Sequence, residues 1–203
     1  PFIVLMGGAK ISTKIGALER LVKVADYVLL GGAMANNFFK AQGYRLGESR
    51  YAQNEVKLAE KLLRHKNILL PSDLVVAEQL SERSRTRVVP PFSVRRNEHI
   101  VDIGPETIQY YELLLSTAKT IVWNGPVGVC EYKKFCTGSI ALAKVIAARS
   151  SGRAFGVVGG GETVACLNQT KMARYIDHVS TGGGAMLDFL AGKKLPALEM
   201  LRD

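Results

Sequence analysis

The clearest indication of the fold is FIVLMGGAKISTKIGALERLVKVADYVLLGG, residues 2–32. Two short apolar runs, FIVLM at 2–6 and DYVLL at 26–30, flank residues 10–24, where apolar side chains recur with helical periodicity. A strand, a helix and a second strand in succession are typical of a parallel sheet with a crossover helix. A pair of glycines directly follows each apolar run.

The same alternation continues along the rest of the chain. Further helices are predicted at residues 32–42, 51–65, 105–117, 133–150, 162–172 and 185–191. Further strands are predicted at residues 67–71, 120–125, 154–159 and 175–180, with extended chain at 72–77. The basic, proline-containing residues 82–97 are predicted to form a surface excursion that fits a hairpin at the edge of the sheet. We therefore expect an α/β fold, Rossmann-like and doubly wound, with a six-stranded parallel sheet and helices on both faces, as a single domain over residues 1–203.

Composition narrows the class of protein. The chain has 203 residues, 47% of them hydrophobic, and no apolar run long enough for a transmembrane helix, so we expect a soluble, cytoplasmic monomer. It opens at Pro1 without a methionine, so we expect it to start inside a longer protein.

The net charge of +9 suits a polyphosphate ligand, a nucleic acid or simply solvated loops. Basic residues interleaved with aromatic ones are lacking, as is a nucleic-acid-binding module, and this favours ligand binding and solvated charge.

Three cysteines, Cys130, Cys136 and Cys166, form no CxxC pair. Together with three histidines they give no spacing typical of a zinc site. We therefore expect three free thiols in a reducing compartment.

Glycines mark the ends of the predicted strands. Twelve of the 20 glycines lie just after an apolar run: Gly7, Gly8, Gly31, Gly32, Gly125, Gly128, Gly159, Gly160, Gly161, Gly182, Gly183 and Gly184. The carboxyl ends of parallel strands share one edge of the sheet, where helix N-termini offer unpaired N–H groups to anions. Tight connections alone would explain any single pair, but five groups on one edge predict a phosphate or nucleotide crevice.

Lys10 and Lys14 stand four residues apart at the predicted opening of the first helix. This spacing would place both ammonium groups on one face, near the positive end of the helix dipole, where they repel each other unless an anion lies between them. The alternative is a pair of surface lysines whose stems cover apolar surface. Neither G-x-G-x-x-G nor G-x-x-x-x-G-K-[ST] occurs, so the dinucleotide fingerprint and the P-loop are both missing.

Eight motifs occur in a fixed order: GGAKxxxKI at 7–15, LLGGAMANNF at 29–38, LGES at 46–49, PSDLVVA at 71–77, DIGPET at 102–107, VWNGPVGVCE at 122–131, GGGET at 159–163 and STGGGA at 180–185. Together they resemble the C-terminal, nucleotide-binding half of phosphoglycerate kinase, over about residues 2–198. The resemblance implies reversible phosphoryl transfer from 1,3-bisphosphoglycerate to ADP, giving 3-phosphoglycerate and ATP.

The resemblance also implies roles for individual residues. Lys10 matches the lysine that stabilises the transferring phosphoryl group, and Lys14 the one that grips the nucleotide's phosphates. Asn124 matches an amide that reaches the phosphates, and Glu131 the carboxylate that binds the ribose hydroxyls. The walls of the adenine slot correspond to Gly8, Ala9, Gly31, Gly32, Val101 and Pro126.

The GGGET segment implies the metal site. Gly160, Gly161 and Thr163 match contacts to the phosphates, and Gly183 lies at a second helix N-terminus that faces the transferred phosphate. Glu162 stands where the family commonly has an aspartate near the nucleotide-bound Mg²⁺. Direct ligation by Glu162 and coordination through water both stay open, because Mg²⁺ often keeps waters.

A second departure from the family is Cys130, which stands where an aromatic residue is usual. We interpret it as a packing change without a chemical role. In the family the phosphoglycerate is held by a basic N-terminal domain that these residues do not include, so we expect nucleotide binding with little or no turnover. Three other functions are weighed: a nucleotide-binding module without a reaction, a Rossmann dehydrogenase and a nucleic-acid binder.

Overall fold

The computed structural model describes residues 1–8 and 12–200, without the side chain of Leu198. Within these residues the chain forms nine strands and eight α-helices. The strands are β1 (Phe2–Met6), β2 (Tyr27–Leu30), β3 (Ile68–Leu69), β4 (Leu74–Ala77), β5 (Thr86–Val89), β6 (His99–Ile103), β7 (Thr120–Asn124), β8 (Phe155–Gly159) and β9 (His178–Ser180). The helices are α1 (Ile15–Val24), α2 (Gly32–Ala41), α3 (Val56–Leu62), α4 (Pro105–Thr117), α5 (Thr137–Ser150), α6 (Gly161–Gln169), α7 (Gly183–Leu190) and α8 (Pro196–Glu199). Short 3₁₀ helices lie at Gln53–Glu55, Pro91–Ser93, Lys133–Phe135 and Ala173–Tyr175.

The main sheet has six strands in the order β3-β2-β1-β7-β8-β9. Every pair of neighbours in it is parallel. The chain builds outward from β1 to β3 and later returns to the other side of β1 with β7, so the winding reverses between β1 and β7. This confirms the predicted fold class and makes the edge beside β1 and β7 the natural ligand crevice.

Helices cover both faces of this sheet. Val4 and Met6 of β1 join a buried cluster that contains residues of α1, α2 and α7. Ile3 and Leu5 of the same strand join the opposite cluster, with residues of α4 and α5. Because its side chains alternate between two buried faces, β1 is a continuous apolar run.

A second sheet of three antiparallel strands, in the order β5-β4-β6, is not hydrogen-bonded to the first. The prediction of a hairpin at the edge of the main sheet is therefore wrong: residues 82–97 contain β5, which pairs with β4 in this smaller sheet. In the loop after β5, Glu98 is buried and accepts hydrogen bonds from Arg87 at 2.6 and 2.7 Å. These hydrogen bonds hold the pKa of Glu98 below its usual value.

The first helix is shorter than predicted. It begins at Ile15 instead of Lys10, with residues 12–14 in a turn. Ser12 and Thr13 are exposed, so this turn has no apolar face to pack on the sheet, and the buried face of α1 starts at Ala17. No helix in the described ranges is long and apolar enough to cross a membrane.

Candidate functional site

Two glycine turns interlock at the point where the winding of the sheet reverses. Gly7 donates to the carbonyl of Asn124 at 3.0 Å, and Gly8 donates to the carbonyl of Pro126 at 2.7 Å. A Cβ atom on Gly7 would lie 2.1 Å from the Pro126 oxygen, so only glycine allows this approach. The loops after β1 and β7 thus form one continuous floor.

Lys14 lies buried in this floor. Its ammonium group donates to the carbonyls of Gly7 at 2.6 Å and Asn124 at 3.2 Å. Burial lowers the pKa of Lys14 to about 8, and the nearby Glu162 carboxylate opposes that shift. A buried ammonium that is only partly compensated favours the arrival of an anion.

The glycine turns after β8 and β9 meet beside Lys14. A Cβ atom on Gly183 would lie 3.0 Å from the Cα of Gly160, and one on Gly160 would lie 3.3 Å from Asn124 Nδ2 and from Thr163 Oγ1. Thr163 is buried, and its hydroxyl oxygen accepts the Gly125 N–H at 2.6 Å. The N-termini of α6 and α7 therefore converge on the same small region as Asn124.

The Asn124 amide has an unused donor. The residue is 2% exposed, and its Nδ2 has no hydrogen-bond partner within the described part of the chain. Leaving such a group unpaired costs about 1–3 kcal/mol. A phosphate oxygen reaching the α6 and α7 N-termini would supply the missing acceptor.

A cavity of about 380 Å³ adjoins this region, within the size range of small-molecule sites. Small and apolar residues line it together with four acidic residues, Glu48, Asp102, Glu131 and Glu162. Six of the residues predicted from the sequence line it: Gly8, Gly32, Val101, Pro126, Glu131 and Glu162. Glu131 and Glu162 are both exposed.

Asn36 contributes a second buried polar atom to the cavity wall. Its Nδ2 donates to the Arg50 carbonyl at 2.9 Å, which fixes the orientation of the amide. Its Oδ1 is buried and has no partner among residues 1–8 and 12–200. A residue of the cavity wall therefore holds an unpaired hydrogen-bond acceptor.

Asp102 also borders the cavity, and it organises one wall. Its carboxylate accepts the N–H groups of Gly138 at 2.8 Å and Ile103 at 2.9 Å, which joins β6 to the start of α5. Burial raises the pKa of Asp102 to about 7, against these hydrogen bonds.

The comparisons with known proteins all point to one family. A family model described as phosphoglycerate kinase matches residues 1–193. The chain belongs to the phosphoglycerate kinase family. It is 44% identical over its whole length to the phosphoglycerate kinase of Chlorobium phaeobacteroides (strain BS1) and 39% identical to a cytosolic one of Nicotiana tabacum, and it covers 52% of each.

Solved structures give the same family. The phosphoglycerate kinase of Coxiella burnetii superimposes with a TM-score of 0.93 at 41% identity, over 99% of this chain and 52% of that one. The enzyme of Pyrococcus horikoshii OT3 superimposes with a TM-score of 0.83 at 33% identity, over 100% of this chain and 52% of that one. The chain thus spans about half the length of these phosphoglycerate kinases.

The structure brings most of the predicted site residues together, in two groups. The cavity residues form one group, and the second lies around residues 124–125 and Gly160: Lys14, Asn124, Thr163 and Gly183. Gly161 is the exposed first residue of α6, and Gly31 packs behind the cavity, where a Cβ atom would lie 2.6 Å from Val127. Ala9 and Lys10 lie outside the described residues.

Sequence reasoning missed Asn36 and Asp102 as parts of the cavity. Both stand inside quoted motifs, LLGGAMANNF and DIGPET, but a single amide or carboxylate carries no spacing signal. A weak signal existed for each, because a polar residue within an apolar stretch requires a partner when it is buried.

The prediction of three free thiols is wrong. Cys130 and Cys136 form a disulfide, because residues 131–135 fold back and bring the two Cα atoms to 4.5 Å. Only Cys166 keeps a free thiol, and it is buried. The interpretation of Cys130 as a simple packing change is therefore also wrong.

Proposed function

We propose that this chain is the C-terminal, nucleotide-binding half of a phosphoglycerate kinase, folded as one domain, that binds Mg-ADP and Mg-ATP. The observation that carries the proposal is the pair of incompletely satisfied buried donors, Lys14 Nζ and Asn124 Nδ2, at the reversal point of the sheet. Both suit phosphate oxygens, and two helix N-termini face the same place.

The adenosine would occupy the cavity. Val101 and Pro126 would pack on the purine, and Gly8, Gly32 and Gly31 keep that slot free of side chains. Glu131, exposed at the cavity wall, would accept hydrogen bonds from the ribose hydroxyls. Asn36 Oδ1 would accept a hydrogen bond from the exocyclic amino group of adenine, where guanine has an oxygen.

The phosphates would extend toward α6 and α7. Lys14, Asn124 and Thr163 would bind them together with the N–H groups at Gly160 and Gly161. Gly183 would lie nearest the transferred group, and the family resemblance assigns Lys10 to the same group.

Glu162 fits a Mg²⁺ ion held largely by phosphate oxygens. Its carboxylate is exposed at the cavity, and no second acidic side chain joins it in a metal-binding cluster within the described ranges. Mg²⁺ usually binds through one or two carboxylates together with substrate phosphates, so a lone carboxylate is sufficient. When bound, the ion would neutralise charge on the phosphates.

The reaction we propose is transfer of a phosphoryl group between the acyl phosphate of 1,3-bisphosphoglycerate and ADP, a step of glycolysis. Such transfer needs positioning and charge stabilisation more than covalent help from the protein. This chain's part is to hold the nucleotide, exclude water from the cavity and direct ammonium and N–H groups at the phosphates. The phosphoglycerate would be held by the other half of the enzyme.

Calorimetric titration with Mg-ADP tests the nucleotide site. We expect saturable binding of one nucleotide per chain, and Lys14→Met should weaken it about 10- to 100-fold, since a charged hydrogen bond contributes about 1.5–3 kcal/mol. Lys23→Met is the matched control, because Lys23 is exposed on the last turn of the same helix.

Two results would contradict the proposal: no saturable Mg-ADP binding by the unmodified chain, or equal losses in the two lysine variants. GDP and NADH serve as the ligand controls, and both should bind more weakly than ADP. Preferential binding of NADH would instead support a dehydrogenase.

A further inference from the structure

The three cysteines of the chain form one cluster. Their sulfur atoms all lie within 4.8 Å of one another. They come from three separate elements: Cys130 from the loop after β7, Cys136 from the N-cap of α5, and Cys166 from within α6. The chain contains three cysteines in all, so none lies elsewhere.

The disulfide accounts for only two of these sulfurs. Cys166 Sγ lies 3.5 Å from Cys136 Sγ in a buried position, although a disulfide needs no third thiol beside it. Exchange between the thiol and the disulfide requires the attacking and leaving sulfurs to be in line, which would separate the outer two by about 5.5 Å. The three sulfurs form a more compact triangle than that.

A compact triangle of sulfurs is what a thiolate metal site requires. Zn–S bonds of about 2.3 Å at tetrahedral angles place neighbouring sulfurs about 3.8 Å apart. We propose that Cys130, Cys136 and Cys166 bind a soft, redox-inert divalent cation, Zn²⁺ or Cd²⁺, once the Cys130–Cys136 disulfide is reduced. The disulfide is then the oxidised, metal-free form of the same site.

The chemistry of the conversion balances with a dithiol or a phosphine as reductant. Two electrons enter the disulfide, its S–S bond breaks, and two protons complete the thiols of Cys130 and Cys136. A dithiol supplies both protons and becomes a disulfide, whereas with a phosphine one water molecule supplies the protons and the oxygen of the phosphine oxide. Metal binding then releases the protons of the coordinating thiols to solvent.

The surroundings favour a cation over an anion. The carboxylates of Glu162, Glu131 and Asp102 place negative charge near Cys166. Cys136 begins a helix of 14 residues, where the dipole favours a thiolate. Zn²⁺ with three protein ligands keeps a fourth position for water.

The site would adjoin the nucleotide cavity. Glu131 directly follows Cys130 and lines that cavity, as do Val129 and Tyr132. It is distinct from the Mg²⁺ position proposed at Glu162, because a hard cation prefers oxygen to sulfur ligands.

Titration with Cd²⁺ tests the inference, with absorption by the thiolate-to-cadmium charge-transfer band as the signal. After reduction with a phosphine and removal of the excess, the chain should bind one Cd²⁺, and Zn²⁺ should displace a chromophoric chelator with the same stoichiometry. The oxidised chain should give no band. Cys166→Ser, which keeps the other two cysteines, should bind at least about 10-fold more weakly.

Alkylation of the unmodified chain gives a second readout that does not depend on a variant folding. Reduced chain without metal should accept three alkyl groups under mild unfolding conditions, and Zn²⁺ should protect all three under the same conditions. The inference is overturned if reduced chain gives no charge-transfer band at one equivalent, if Cys166→Ser binds equally well, or if oxidised chain binds the same amount of metal.

Discussion

The protonation of Lys14 depends on the charges and hydrogen-bond partners around its ammonium group. In the free chain it donates to two carbonyls, and burial holds its pKa at about 8, below the ordinary 10.5. Bound phosphate would raise that pKa again, because an opposite charge stabilises the ammonium. We therefore expect proton uptake when Mg-ADP binds above pH 8, and an affinity that falls as the pH rises through about 8.

Calorimetry at pH 8.5 in two buffers of different ionisation enthalpy measures this uptake. The apparent binding enthalpies should differ by an amount corresponding to at most about one proton. Lys14→Met should abolish the difference in whatever binding remains. Identical enthalpies in both buffers for the unmodified chain would show that Lys14 does not change its protonation on binding.

Individual site residues differed in how far the sequence could identify them. Lys14 was predicted as half of a lysine pair within a helix, but it lies at the N-cap of α1 and its ammonium points back to the carbonyls of the strand ends. The residue was therefore identified on an argument that the local structure does not support. Cys130 and Cys166, 36 positions apart, meet only through the packing of α6 beside the loop after β7, which no local pattern encodes.

At the scale of elements, a buried cap determines where α4 begins. Asp73 lies before β4 and accepts the N–H groups of Thr107 at 2.8 Å and Glu106 at 3.1 Å. The Thr107 hydroxyl donates to Asp73 Oδ1 at 2.6 Å. The PSD and GPET segments of the family pattern therefore form a structural joint, away from the nucleotide cavity.

Removing this cap should lower the stability of the chain without changing its affinity for Mg-ADP. Asp73→Ala should lower the free energy of unfolding by about 1–3 kcal/mol, because it leaves buried N–H groups of α4 unpaired. Denaturant unfolding measures the loss. Gln109→Ala, at an exposed position of the same helix, should change stability by less than about 0.5 kcal/mol. If the Asp73→Ala variant were fully folded and still bound Mg-ADP more weakly, Asp73 would instead belong to the nucleotide site.

The helices with strong local signals were the best predicted. The bounds of α4 agree with the prediction because Pro105 occupies the first turn and an extended glycine precedes it. The region from 51 to 65 has no comparable start signal, and its first part forms a 3₁₀ helix instead. The sequence did not predict strand β6. This strand forms by pairing with β4, which lies far from it in the sequence and is not joined to it by a recognisable turn motif.

For the whole molecule, alternation of strands and helices was enough to predict a parallel sheet but could not give the order of its strands. The order follows from which strand β7 joins, and β7 lies about 90 residues beyond β2. Once β7 pairs with β1, all five glycine groups are brought to one edge, as the glycine pattern predicted. The proposed nucleotide binding is thus a property of the assembled sheet and of no single motif.

Without the other half of the family's enzyme, these 203 residues should bind the nucleotide but transfer the phosphoryl group only slowly. Phosphoryl transfer requires both reactants to be held about 3–3.5 Å apart, and that positioning accounts for a large part of the rate. The chain spans 52% of its relatives, and the proposed site would take only the nucleotide. We therefore expect Mg-ADP binding with ATP formation from 1,3-bisphosphoglycerate at least about 100-fold slower than in a full-length relative. A luminescent ATP assay measures the rate, with calorimetry on the same sample as proof that the nucleotide binds. A rate close to that of the full-length enzyme would mean that these residues hold a phosphoglycerate site of their own.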